Sequence, residues 1–415
     1  MQLDVKLARE HFPAFTVPAL EGWAFFDNAG GSYACQQTID ALTRYYVETK
    51  LQPYSPGPAS AAAGEAMDRS HIRWAEALGV KTDEVHFGPS TSQNTYVLAH
   101  AFADVLGAGD EIIVTNQDHE ANTGAVRRMA ERVGATLREW RIDPASGLLD
   151  PEGLAALLTD RTKLVTFPHC SNVVGQENDV APLARLAHDA GARVIVDAVS
   201  YAPHAIPDVS ALDADVYLFS LYKVYSVHQG LMVVRNGLIE ELPNQGHFFN
   251  ADQPGKRLTP AGPDHAQIAA AGSVLDYVEA LDAAHGASST DLRAAAAKVT
   301  RLWQDHESAL LEPVLDYLSA ADGVRLIGPA SIDSLPGHRC PTVAFVPIGR
   351  DPAEVVRRLT EYKIMASSGH FYAYRVLEGL DIDVNRGLVR LSWVHYTTTD
   401  EIDQLIRAIS SVLAT

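Results

Sequence analysis

From Glu84 to about Arg235 the chain alternates short apolar runs with helical stretches, and this alternation is what most narrows its fold. The runs are Glu84-Val85-His86-Phe87, Glu111 to Thr115, Thr136 to Ile142, Lys163 to Phe167, Val194-Ile195-Val196-Asp197 and Val216 to Ser220, with a hydrophobic return run at Gly230 to Val234. Most are continuous apolar segments that stop at a polar cluster. Such segments read as strands buried on both faces, as in a parallel sheet. The intervening helical stretches supply the crossovers that parallel neighbours require. The expected class is therefore α/β, with a mostly parallel sheet flanked by helices.

In an open sheet of this kind ligands sit outside the carboxyl ends of the strands, so the residues that follow each run carry the chemistry. Asp197 ends one run and Lys223 follows another through Ser220-Leu221-Tyr222-Lys223. Taken singly, Asp197 could cap a helix and Lys223 could be a solvated loop lysine. Together at one sheet end they suit pyridoxal 5'-phosphate (PLP). A lysine amine can form a Schiff base with its aldehyde, and a carboxylate can hold its pyridine nitrogen protonated. Three further strand ends add to the set. Gly88-Pro89-Ser90-Thr91-Ser92-Gln93-Asn94 precedes a helix placed at Tyr96 to Leu106, so free N–H groups and hydroxyls form an anion site. His119 follows the run at 111–115, where it can lie flat on a planar cofactor, and Asn172 follows the run at 163–167.

The rest of the chain frames this centre. Residues 4–12 read as a short helix and Trp23 to Phe26 as a brief strand. Asp27-Asn28-Ala29-Gly30-Gly31 is a polar turn whose glycines allow close approach to a ligand, which makes Asn28 and Ala29 candidate substrate contacts. Residues 51–64 hold three prolines and two glycines and read as a loop, with helix from 65 to 78. Beyond an aperiodic stretch at 236–265, helices are expected at 266–285 and 288–320, then strands near 325–327, 341–346 and 388–392 and helices at 352–362 and 400–413. Ser367 to Ala373 reads as a polar and aromatic loop. The expected division is a large domain over 16–258 and a small one formed by 1–15 with 259–415.

Charge and cysteine content narrow the partners. A net charge of −19 argues against nucleic acid or an anionic membrane as the main partner. No apolar run approaches the roughly 18–20 residues of a membrane span, and the start lacks the basic-then-apolar form of a signal peptide. Cys35, Cys170 and Cys340 are too widely spaced for a disulfide framework or a zinc site. A cytoplasmic protein without metal is expected, with Cys170 a small buried hydrophobe.

As an ordered set, these residues resemble the class V aminotransferases. These are fold-type I PLP enzymes that include cysteine desulfurases, selenocysteine lyases, kynureninase and isopenicillin N epimerase. The likeness runs from about Phe25 to the C-terminus and is greatest to the cysteine desulfurase-like branch. It implies a seven-stranded large-domain sheet, a smaller C-terminal α/β domain and a homodimer. Lys223 takes the place of the Schiff-base lysine, Asp197 that of the pyridine-nitrogen partner, and His119 that of the stacked histidine. Asn172 takes the place of the donor to the phenolic oxygen. Thr91, Ser92 and Ser220 match phosphate contacts, and Tyr222 stands where desulfurases usually have a phosphate-binding histidine. Arg390, in Val389-Arg390-Leu391-Ser392, matches the arginine that grips the substrate carboxylate, a task suited to its planar fork.

Three departures qualify the resemblance. Ser200 replaces a glutamine, so either a hydroxyl serves the phenolic oxygen or another proton path operates. Ser367-Ser368-Gly369-His370-Phe371-Tyr372 replaces a run that ends in the persulfide-forming cysteine, and a phenol cannot accept sulfur as a thiolate does. A contact made by the neighbouring subunit in desulfurases is matched only loosely by Ala261-Gly262-Pro263, with Thr259 a possible substitute. The resulting expectation is a PLP-dependent enzyme acting on a small amino acid, cleaving C–S or C–Se without a persulfide relay. Class V aminotransferase or epimerase chemistry is the alternative, and a non-catalytic scaffold a third. His370 and Tyr372 would either shuttle protons or only pack over the substrate.

Overall fold

The computed structural model describes residues 2–260, 262–332 and 339–414. Its thirteen strands, in chain order, begin with β1 (Ala24–Phe25). The strands of the large sheet are β2 (Val85–Gly88), β3 (Glu111–Thr115), β4 (Thr136–Trp140), β5 (Thr162–Pro168), β6 (Arg193–Asp197), β7 (Val216–Ser220) and β8 (Gly230–Val234). They lie in the order β2-β8-β7-β6-β5-β3-β4. β4, β3, β5, β6 and β7 pair in parallel, and β8 runs against both β2 and β7. Every residue of β3, β7 and β8 is buried, as the continuous apolar runs require. The expected seven-stranded, mostly parallel sheet is therefore present.

A second sheet orders β12 (Ser367–Gly369), β13 (Leu388–Ser392), β10 (Thr342–Pro347) and β9 (Val324–Ile327), all antiparallel. β1 pairs in parallel with β11 (Ile364–Met365). Phe26, Leu311, Phe345 and Trp393 share a core beside this sheet. Trp74, Phe167, Phe219 and Tyr277 fill one face of the large sheet, and Phe102, Ile112 and Leu218 the other. The largest hydrophobic cluster joins both sheets: it holds Leu3, Phe12, Leu275 and Trp303 together with Ala344 of β10 and Leu388 of β13, whereas Ala24 and Phe26 pack in the small-sheet core. No helix among the described residues is long and apolar enough to cross a membrane.

Four local differences from the sequence expectation have physical causes. The helix expected at Tyr96 begins at Thr91, because Ser90 caps it by accepting from the Gln93 N–H at 3.2 Å. Its first turn is polar and carries no apolar periodicity. The helix expected at 65 begins at Pro58, where proline fits the first position and an alanine run sustains the helix. The helix expected over 266–285 breaks into His265–Ala271 and Val274–Ala284. There Gly272 passes so close to the helix at Ser70 that an added Cβ would lie 2.9 Å from the Ser70 Cα. Finally, Ser367–Gly369 is an edge strand paired with β13 rather than loop.

Candidate active site

The carboxyl ends of β3, β5, β6 and β7 meet over one cavity of about 170 Å³. Lys223, Asp197, His119 and Asn172 line it, as do Ser200 and Ser220. Lys223 ends a tight 3-10 turn that begins directly after β7. That turn is held from outside. The Ser32 N–H donates to the Tyr222 carbonyl at 3.1 Å, the Ser32 hydroxyl donates to the Lys223 carbonyl, and the Cys35 N–H donates to the Tyr225 carbonyl at 2.9 Å. Tyr225 itself has φ +60°, a left-handed conformation that a bulky residue keeps only where its surroundings enforce it.

Burial sets the charges. The Asp197 carboxyl is pushed up to about 6 by burial, against the pull of the Val199 N–H and of Lys223. The Lys223 amine is pushed down to about 8 by burial and by the Arg390 charge, with Asp197 and Asp27 acting against this. Burial, then the charges of Lys223 and Arg390, push the His119 imidazole down to about 3, so it is neutral near pH 7. Its Nδ1 accepts from the Ala121 N–H at 3.0 Å, which assigns the ring proton to Nε2. Beside it Asp118, a residue the sequence reading passed over, is raised well above the usual carboxylate range by burial and by the Asp197 charge. Asn122 and the His119 N–H bond its carboxyl.

At one end of the cavity the helix Thr91–Ala103 presents its N-terminus, with Thr91 and Ser92 on the wall. The Thr91 and Ser220 hydroxyl oxygens are 2.7 Å apart. β8 closes this cradle from behind: a Cβ on Gly230 would lie 2.5 Å from the Thr91 nitrogen. Tyr222 stacks on His228, with centroids 4.8 Å apart and planes within 5°. His228 also lines the cavity, so an imidazole stands here despite the tyrosine at 222. Its signal in the sequence was only a polar residue in the short turn before Gly230. Thr259 lines a different groove, with Tyr54 and Phe249, and Ala261 lies outside the described residues.

The cavity opens into a chamber of about 710 Å³ walled partly by the small sheet. Arg390, on β13, is buried there. Its fork donates to Asp27 Oδ1 and to the Asn172 carbonyl, each at 3.3 Å, and its Nε has no partner. The Phe371 ring covers the guanidinium at 3.9 Å. Phe371 and Tyr372 have φ +50° and +57°. The Asn172 amide donates to the Phe371 carbonyl at 2.9 Å, and the Glu120 N–H donates to the Tyr372 carbonyl at 2.9 Å. Ala29 and Tyr372 line the chamber, whereas Asn28 and His370 lie outside its lining. Asn28 turns inward to accept from the Tyr396 hydroxyl, and His370 Nδ1 accepts from the Tyr372 N–H at 3.1 Å. Asp27, which the sequence reading named only as part of a turn, is the residue that faces Arg390.

These residues fit a phosphorylated pyridine aldehyde. A buried amine and a buried carboxyl share the cavity, a hydroxyl-lined helix N-terminus flanks them, and the Asn172 Oδ1 is buried without a partner. Asn172 spends one amide hydrogen on Phe371 and keeps the other.

The comparisons agree. The profile of the family Aminotransferase class-V matches residues 24–405. The aminotransferase-like protein FGM3 of Gibberella zeae is 34% identical over 428 residues, covering 99% of this chain and 98% of that one. A probable cysteine desulfurase of Mycolicibacterium paratuberculosis is 32% identical over 418 residues, 99% of this chain and 58% of that protein. The nonribosomal peptide synthetase-like enzyme fsqF of Aspergillus fumigatus is 31% identical over 99% of this chain, which spans 27% of its length. Among solved structures, the cysteine desulfurase CsdA of Escherichia coli superposes with a TM-score of 0.83 at 23% identity, covering 100% of this chain and 99% of that one. The cysteine desulfurase of Thermococcus onnurineus NA1 does so with 0.85 at 22%, with the same coverage. The chain belongs to the class V aminotransferase family, in its cysteine desulfurase-like branch, and is an enzyme that uses pyridoxal phosphate.

Proposed function

We propose that the enzyme acts on a small α-amino acid and cleaves a C–S or C–Se bond at its β-carbon, without carrying the released atom on a protein thiol. The observation behind this reading is Tyr372 at the chamber mouth, 68% exposed, in the place where the resemblance expects a cysteine. Cys35, Cys170 and Cys340 are all buried; Cys170 lines the inner cavity, and none lines the chamber where the substrate side chain would lie.

The cofactor, when bound, supplies an electron sink for bond breaking at the substrate's α- and β-carbons. Around it, Lys223 would hold the cofactor through its amine and, when free, would take the proton from the substrate α-carbon, a task for which an amine near pKa 8 is well matched. Asp197 would hold the pyridine nitrogen and keep a proton there. His119, uncharged, would cover the ring without adding a competing positive charge. Thr91, Ser92, Ser220, Tyr222 and His228 would hold the phosphate, and Ser200 and Asn172 would serve the phenolic oxygen. Arg390 binds the substrate carboxylate, with Phe371 fixing the plane of its fork.

A second reading, transamination or epimerisation, is favoured by the name of the Gibberella relative, an aminotransferase-like protein. One experiment separates the two. The PLP-loaded protein is incubated with a panel of amino acids while spectra and products are followed. Sulfite with alanine from a sulfinate substrate, or sulfide or selenide with pyruvate and ammonia, supports the first reading. A pyridoxamine form with a keto acid, or inversion at the α-carbon, supports the second. Protein that stays colourless with added PLP overturns both.

A homodimer in the cytoplasm completes the proposal. Phe248 and Phe249, 86% and 64% exposed, stand beside a groove of about 1060 Å³ that a second copy would cover. Light scattering at the mass of one chain would refute the dimer.

A further inference from the structure

The chamber outside the cofactor cavity is about 710 Å³, against about 170 Å³ for the cavity itself. An amino acid the size of cysteine leaves most of it unused. Besides Lys223, which would be joined to the cofactor, its walls carry two arginines, Arg390 and Arg128, and two carboxylates, Asp27 and Glu120, in a chain that as a whole carries −19. An anionic ligand would be drawn to whichever arginine its neighbours leave with donors to spare.

Of the two arginines, Arg128 is the less committed, although Glu120 is an ion-pair partner at 3.7 Å. Asp27 faces Arg390 at 3.3 Å and accepts from the Ser367 hydroxyl at 2.5 Å. Glu120 is bonded by Arg375 and lies 3.7 Å from Arg128, too far for a hydrogen bond. Arg127, the neighbour in sequence, is consumed by Glu139 at 2.5 Å and Thr123 at 3.0 Å. Arg128 instead donates one edge of its fork to the Tyr96 hydroxyl, with its Cζ 5.3 Å from the centre of that ring. Tyr96 lines the same chamber. The guanidinium is thus steadied by an uncharged partner, 56% exposed, with donors left over.

From this we infer that Arg128, set by Tyr96, is a specificity-determining anchor for an anionic group at the far end of the substrate side chain, a carboxylate or a comparable oxyanion. The substrate class is an α-amino acid with an acidic side chain, gripped at its α-carboxylate by Arg390 and at its distal oxyanion by Arg128. This rests on the reading above that an α-amino acid binds in the chamber. A forked donor favours an oxyanion over a neutral isostere because the ion pair adds a charge-assisted bond that the isostere cannot make.

The test uses the PLP-loaded full chain and equilibrium binding, followed by the visible spectrum of the cofactor and by calorimetry. The probes are L-aspartate, L-glutamate and L-2-aminoadipate, each against a neutral counterpart of similar length (L-2-aminobutyrate, L-norvaline and L-norleucine). Wild type should bind at least one acid about tenfold or more tightly than its counterpart, the effect of one charge-assisted hydrogen bond. In Arg128→Gln that ratio should fall to about twofold or less, Arg128→Lys should restore part of it, and Tyr96→Phe should lower it by a few-fold. A wild-type ratio near one, or a ratio that survives Arg128→Gln, overturns the inference while leaving amino-acid binding intact. Failure of acids and neutral counterparts alike to bind overturns the amino-acid reading, and this inference with it.

Discussion

The floor of the site and its rim are built on opposite principles. On the floor, Asp197 and Lys223 are buried, His119 is half-buried, and all three follow the ends of paired strands of the large sheet. Their protonation states are displaced by that burial. On the rim, Phe371 and Tyr372 sit in left-handed backbone and Tyr372 and Arg128 reach solvent. The rim is held mainly by borrowed contacts, Asn172 to the Phe371 carbonyl and Glu120 to the Tyr372 carbonyl. The contrast teaches that the bond-breaking apparatus is fixed by the sheet, whereas choice of substrate is left to side chains that can change at little cost to folding.

The largest effect should come from the floor. Lys223→Ala should lose at least about a thousandfold in turnover. Mass spectrometry after borohydride reduction should find no cofactor attached to the variant; attachment at another lysine would break the assignment of the floor. Next comes the residue where floor and rim meet. Arg390→Ala should weaken amino-acid binding by about 10- to 100-fold, measured as KM, with a smaller change in kcat.

A third test reads the floor through pH. In the apoprotein the Asp197 carboxyl is raised to about 6 from its ordinary value of 3.8. Between these values the folded state holds a proton that the unfolded chain releases. This contribution to stability is therefore full below about pH 4 and lost as pH rises through about 6. Lys223, lowered to about 8, opposes folding below that pH and ceases to do so by about pH 10. Asp197→Asn should flatten the fall in apoprotein Tm between pH 4 and 6. An unchanged slope would show that the carboxyl is not desolvated. The smallest effect belongs to the rim. Tyr372→Phe should change kcat/KM by less than about threefold, since substitutions at exposed sites are usually mild. A loss as large as that of Lys223→Ala would erase the distinction between floor and rim.

The floor was legible in the sequence and much of the rim was not, for a physical reason. Continuous apolar runs such as Val194–Val196 announce buried parallel strands, and the strand-end rule then places whatever follows them. Asp197, Lys223, His119 and Asn172 could be collected in this way without knowing a single contact. The rim depends on pairs far apart in the chain. Asp27 meets Arg390 across 363 residues, and Tyr396 turns Asn28 inward across 368. No local pattern records such pairs, so the sequence does not show that Asn28 bonds Tyr396 or that Asp27 faces Arg390. His228 escaped for a different cause: it acts by stacking on Tyr222, and stacking leaves no periodicity. The early start of the helix at Thr91 was hidden because a hydroxyl cap, not an apolar stripe, begins it.

Asn172 belongs to both regions at once. Its amide ties down the Phe371 carbonyl, its own carbonyl receives the Arg390 fork, and its side chain borders the cofactor cavity. It works as a keystone between two walls, so disturbing it would slacken the loop and the arginine together. One side chain thus links the lining of the inner cavity to the backbone of the entrance.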